Sequence, residues 1–160
     1  MPYLYQIDPA WNEEPYASGT IGENGCGPTA LAMVRAHLTG DTSLDPVALA
    51  KWSERNGYVE GNATRWALMS EGAALLGLDS SELPASADAV RAALQAGKPV
   101  VCVVGPGDFT TTGHFIVLSG LNDDGTVSVH DPNSVLNSQM AWDLGRILGQ
   151  CRNLWAFSAA

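Results

Sequence analysis

The spacing of apolar positions along the chain changes once, near residue 98. From Gly27 to Leu38 the apolar residues Ala30, Leu31, Val34 and Leu38 recur three or four apart, the spacing of one helix face. Pro28 is tolerated in the first turn of such a helix and Gly40 can stop it. Asp45 before Pro46 opens a second helix that runs through Trp52 and ends near Gly57. The set Leu68, Ala73, Leu75 and Leu76 predicts a third helix over residues 63–76, closed by Gly77. A fourth, led by Ser86, passes through Val90 and Leu94 to Gly97.

Beyond that point short β-branched or aromatic runs predict strands: PVVCVV, HFIVLSGL, TVSVHDP and LWAFS. Asn122-Asp123-Asp124-Gly125 links the second and third as a hairpin. Before the last strand, Met140, Leu144, Ile147 and Leu148 have helical spacing and predict a helix over 139–148. Residues 3–25 hold no sustained period and predict an ordered arm, anchored by Trp11 and Tyr16, instead of a helix. A helical half followed by a mainly antiparallel sheet is an α+β arrangement, not a series of βαβ units.

Composition narrows the function classes. A chain of 160 residues with 46 % hydrophobic content has the size of one globular domain with a real core, so residues 1–160 are expected to form a single domain. A net charge of -9 leaves no electrostatic footprint for nucleic acid or anionic membranes. The apolar runs fall well short of the roughly 20 residues of a membrane-spanning helix, and no secretory signal opens the sequence. The three cysteines, at 26, 102 and 151, have neither metal-ligand spacing nor the even count of a disulfide framework, so no metal or cofactor is expected. The exposed-type acids Glu13, Glu14, Asp108, Asp123 and Asp124 could rim a cleft that favours cationic peptides, or simply be solvated.

Candidate chemistry begins at GENGCGPTA, residues 22–30, where Cys26 stands between two glycines at a helix entry. Unpaired N–H groups and the positive end of the helix dipole lower a thiol pKa there. A partner imidazole would complete the activation. His37 lies eleven residues on, about 16 Å along a helix axis, and cannot reach. His130 and Asp131 are neighbours in a strand, whose side chains point to opposite faces, so only one can enter a given cleft. His114 opens the strand HFIVLSGL after the loop DFTTTG and is the best base. Antiparallel pairing through the hairpin brings His114 and Asp131 to the same end of the sheet, where Asp131 can orient the imidazole. Cys102 in PVVCVV and Cys151 read as packing, and Trp52, Trp66, Trp142 and Trp155 as core or rim residues, with no interleaved basic residues for stacking on nucleic acid. Asn62-Ala63-Thr64 matches a glycosylation acceptor, but a helix cap is the preferred reading.

The segments Gly25-Cys26-Gly27-Pro28-Thr29-Ala30, Thr112-Gly113-His114-Phe115-Ile116-Val117 and Asp131-Pro132-Asn133 together resemble the bacteriocin-processing, double-glycine leader type of papain-like cysteine peptidase. The match is to its stand-alone bacterial relatives and extends from about Tyr3 to Phe157. The resemblance implies a papain-like fold, Cys26 as nucleophile, His114 as base, Asp131 as third member, and a peptide or protein substrate. It implies an extracellular or cell-surface setting as readily as a cytoplasmic one. One position departs: the oxyanion-hole glutamine six residues before the cysteine is here Thr20, and Gln6 in YQID is the upstream glutamine available. The Cys26 backbone N–H is the other donor. Two alternatives accompany this reading: a cell-wall amidase or endopeptidase with the same triad, and a degenerate member kept as a binding or regulatory module.

Overall fold

A computed structural model describes residues 1–160. The chain starts with an extended segment, a small hairpin of β1 (Pro15–Tyr16) and β2 (Gly19–Thr20), and one helical turn, α1 (Ile21–Asn24). The arm therefore contains regular elements that its sequence did not signal. Thr20 caps α1 by accepting from the Glu23 N–H, which explains why this position holds a threonine. Tyr16 is an anchor as expected: it is fully buried, and its hydroxyl bonds Ser53 Oγ at 3.1 Å and Thr64 Oγ1 at 2.7 Å.

Helix α2 (Cys26–Thr39) ends at Gly40, whose left-handed backbone (φ +72°) closes the last turn. Its residues from Gly27 to Val34 are buried all round, so its first two turns form a central helix and not a one-sided surface one. Helix α3 (Pro46–Arg55) has Asp45 accepting from the Ala48 N–H at 2.8 Å, as its sequence predicts.

The predicted third helix does not form as one piece. Ala63 and Thr64 make β4 (Ala63–Thr64), paired with β3 (Val59–Glu60) across a turn at Gly61, which has φ +62°. A 3-10 turn (Trp66–Met69) and α4 (Glu71–Leu75) follow. The apolar spacing misled because Leu75 is 68 % exposed, while Thr64 turns inward to the Tyr16 hydroxyl. Asn62 is thus an exposed turn residue and Thr64 a strand residue, so neither is a helix cap.

Strand β5 (Leu78–Leu83) was hidden by its polar sequence LDSSEL; it holds to the sheet as an edge strand through backbone bonds. Helix α5 (Ala87–Gln95), capped by Ser86, precedes β6 (Val100–Val104), β7 (His114–Leu121) and β8 (Val127–His130). The expected turn joins β7 and β8: the Gly125 N–H donates to the Asn122 carbonyl at 3.0 Å, with Gly125 at φ +87°. The predicted 139–148 helix is split. Helix α6 (Val135–Gln139) ends before β9 (Ala141–Trp142), and α7 (Leu144–Leu148) starts afresh with Asp143 as its cap. Trp142 buries itself against Phe109, with ring centroids at 4.5 Å, and a continuous helix would not present it there. Strand β10 (Cys151–Ala159) ends the chain.

Six strands form one antiparallel sheet in the order β5-β10-β6-β7-β8-β9. Alternation splits its side chains between two cores. Val101, Val103, Phe115, Val117, Trp155 and Phe157 face α2, α3 and the 3-10 turn. Val100, Cys102, Val104, Ile116, Leu118, Leu154 and Ala156 face α5 and α7. Cover on both faces explains why β6 reads as a continuous apolar run. Cys102 and Cys151 both pack in the second core, as expected of packing thiols. The α+β arrangement is the one the sequence predicts, and it sets the N-terminus of α2 against the start of β7.

Candidate active site

Cys26 is the first residue of α2, and its first-turn N–H groups have no carbonyl four residues back within the helix. Two close approaches hold that helix entry. A methyl group at position 27 would come within 2.9 Å of three Thr64 side-chain atoms, and one at position 25 within 2.6 Å of the Ile21 carbonyl. The glycines on either side of Cys26 thus make room for protein neighbours.

His114 reaches Cys26 from the start of β7. Its Nε2 lies 2.6 Å from Asp131 Oδ1, which leaves Nδ1 as the ring nitrogen for the thiol. Burial pushes the Cys26 thiol up, but the hydrogen bond and charge of His114, with the backbone N–H groups of Phe115 and Gly27, outweigh it and hold the thiol below its usual range. Burial pushes His114 down; hydrogen bonding to Asp131 and Cys26, which accept from the imidazolium, and their charges overcome that and raise it to about 10. Both shifts favour a thiolate–imidazolium pair.

Asp131 is 1 % exposed and well held. Besides His114, its carboxylate accepts from the Asn133 N–H at 2.8 Å and from Asn137 Nδ2 at 3.0 Å, and its own N–H donates to Ser138 Oγ at 2.9 Å. This is an Asx turn running into α6, so the short helix serves to fix the carboxylate. The competition between His130 and Asp131 is resolved by the strand alternation. His130 points away, stacked on Tyr3 with ring centroids 4.0 Å apart and Nδ1 at 3.1 Å from the Pro2 carbonyl. Burial holds His130 down to about 4, so it stays neutral. His37 is near the far end of α2 and exposed, as helix geometry requires.

Gln6 is brought near these residues because the arm folds back. Its backbone N–H donates to the Pro132 carbonyl at 2.8 Å and its Nε2 to the Gly22 carbonyl at 3.0 Å. It is 3 % exposed, its Oε1 has no partner, and it does not line the groove described next.

A groove of about 500 Å³ runs past Cys26 and His114, with Asn24, Asn62, Trp66 and Arg152 among its walls. Trp66 takes the rim position, one of the two the sequence allowed: it is 45 % exposed and rests edge-on against Trp155 at 6.0 Å. Asn24, Arg152 and the Asp131 supports Asn137 and Ser138 were missed; of these only the D-P-N-S turn pattern gave a local signal. Of the two readings of the acidic residues, the solvated one fits: Glu13, Glu14, Asp123 and Asp124 do not line the groove, and Asp108 pairs with Arg146 at 2.7 Å. No helix is long and apolar enough to cross a membrane.

Comparison with known proteins bears on the family and the fold. The chain matches the Peptidase_C39 like family over residues 1–156. Among solved structures it is similar to the peptidase domain of Streptococcus ComA, a bi-functional ABC transporter involved in a quorum sensing pathway. The TM-score is 0.64 at 17 % identity, covering 86 % of this chain and 93 % of that one. Comparison with curated proteins gives no match. At that identity the structural likeness bears on the fold, and it agrees with the papain-like α+β fold that the sequence implies. Because the family match takes in nearly the whole sequence, the chain belongs to the Peptidase_C39 like family, a cysteine peptidase family.

Proposed function

We propose that the protein is an active cysteine peptidase that uses Cys26, His114 and Asp131 as its triad. The observation that carries this reading is the buried Asp131–His114 pair, 2.6 Å apart, with His114 lining the same groove as Cys26. The Cys26 thiolate attacks a peptide carbonyl, and the new oxyanion is met by N–H groups at the α2 N-terminus, above all that of Cys26. His114, protonated in the resting pair, gives its proton to the leaving amine as the C–N bond breaks. A thioester remains. His114, now neutral, takes a proton from water, hydroxide adds to the thioester carbonyl, and loss of the thiolate releases the acid and restores the pair. Asp131 keeps the imidazole oriented throughout. Gln6 is the candidate second oxyanion donor, since the Gly22 carbonyl uses only one of its two amide N–H bonds.

A quenched-fluorescent peptide library incubated with the protein and with Cys26→Ala tests the reading. Cleavage by the first and not the second is expected. Cleavage of peptidoglycan fragments with no peptide cut would point instead to the amidase alternative. No cleavage of either, with a Cys26 of ordinary thiol reactivity, would contradict the proposal and leave a binding module.

A further inference from the structure

The groove has two charged walls that differ in one respect. Glu23 is engaged, its Oε1 accepting from Thr20 Oγ1 at 3.1 Å. Arg152, the one basic residue among Lys and Arg that lines the groove, has no ion pair and no hydrogen bond from its guanidinium. Elsewhere Arg35 meets Asp41 at 3.2 Å and Arg146 meets Asp108 at 2.7 Å, while the other cations, also outside any ion pair, do not line the groove; place, and not the want of a partner alone, sets Arg152 apart. In a chain of net charge -9, with 17 acidic side chains available, a cation left unpaired in the groove stands against the general sign of the molecule.

Arg152 also lies against backbone. It sits at the irregular start of β10, where the register with β6 shifts between Cys151 and Asn153. There its guanidinium lies across two glycines. A methyl group at position 105 would come within 2.9 Å of Nε, and one at position 113 would contact Nη1 at 3.4 Å. Gly113 immediately precedes His114. The planar group is thus laid on bare backbone at the His114 end of the groove, with none of its N–H bonds taken by a protein acceptor. A guanidinium so placed matches a carboxylate, which can accept two parallel N–H bonds from it.

We propose that Arg152 forms a carboxylate-binding subsite, so that the peptide processed at Cys26 places an Asp or Glu side chain, or its own C-terminal carboxylate, at the His114 end of the groove. This rests on the peptidase reading. It also reverses the preference for cationic peptides that the acidic composition suggested. Because Arg152 is exposed, the selectivity is electrostatic in part and weakens as salt is added.

The test uses the full chain and a quenched-fluorescent Gly/Ala decapeptide. A single Glu, Gln or Lys is moved position by position along an amidated version, and free-acid and amidated ends are compared without the scan. The expected result is a preference of about tenfold in kcat/KM, from charge-assisted bonding, for Glu over Gln at one position or for the free acid over the amide. The first outcome assigns the side chain and the second the terminus. Arg152→Gln abolishes the preference and Arg152→Lys keeps part of it, each read as the ratio of the acidic to the uncharged peptide for the same variant. Cleavage with no preference, or a preference that survives in Arg152→Gln, overturns the subsite while leaving the peptidase reading intact. If wild-type protein cuts nothing, the peptidase reading fails, and binding of the same peptides to Cys26→Ala decides the subsite. Tighter binding of the acidic peptide, lost in Cys26→Ala/Arg152→Gln, supports it; equal binding overturns it.

Discussion

Asp131 carries more hydrogen bonds than an orienting carboxylate needs for charge alone. His114, Asn133 and Asn137 all donate to it, and with 1 % exposure it has no solvent to fall back on. Asp131→Asn removes the charge that helps raise His114 and presents a donor where an acceptor is required. Its kcat/KM is expected to fall by about 10² to 10⁴-fold, with the alkaline limb of the pH–rate profile moving down from about pH 10. Asn137→Ala removes one bond to a buried charge and should cost roughly tenfold, with a smaller shift of the same limb. At this scale the sequence was most legible for the three residues whose chemistry is unusual where they stand: a cysteine at a helix entry, a histidine opening a strand, an aspartate before proline. Asn137 and Ser138 were not legible, because each acts through Asp131, and Arg152 was not, because only the fold brings it to the groove.

Among the elements, α2 places Cys26, the proposed nucleophile, and its buried face sets its position. Leu31, Met33 and Val34 have 0 to 1 % exposure, and each such side chain contributes on the order of 1.5–3 kcal/mol. The fine placement comes from Gly27 against Thr64, itself tied to Tyr16 of the arm. Gly27→Ala should destabilise by about 1–3 kcal/mol through overpacking and lower activity by shifting the helix start. Thr64→Ala in the same protein should restore part of the thermal midpoint, and calorimetry of the single and double variants checks it. Helices with side-chain caps and one apolar face, such as α3 and α5, were readable in advance. The region from 63 to 76 was not, because its apolar spacing is shared by two unrelated short elements, and β5 was not, because backbone pairing and not side-chain pattern holds an edge strand. The split after residue 139 follows the same logic: Trp142 is placed by a tertiary pocket.

For the whole molecule, a sheet covered on both faces leaves the site at one end, where the N-terminus of α2, the start of β7 and the end of β8 meet. The two buried histidines give stability opposite slopes with pH. His130 is held down to about 4, so its contribution is present above its unfolded pKa of about 6.5 and is lost as pH falls towards 4. His114 is raised to about 10, so its contribution is complete below about 6.5 and is lost as pH rises through 10. Urea unfolding from pH 4 to pH 10 should show both declines, and His130→Gln should flatten the acid one, since the buried imidazole under Tyr3 no longer has to take up a proton on unfolding. The overall class, helices first and an antiparallel sheet after, was visible in the change of apolar spacing near residue 98.

The central claim is that Cys26 rests as a thiolate paired with protonated His114. The most direct measurement is the rate of iodoacetamide alkylation of Cys26, followed on its own peptide by mass spectrometry from pH 4 to pH 10, for wild type and His114→Gln. A rate that is already high well below pH 8 and holds a plateau towards pH 10, lost in His114→Gln, is the predicted result. A wild-type rate that climbs tenfold per pH unit up to about pH 8.5, as an ordinary thiol does, would contradict it.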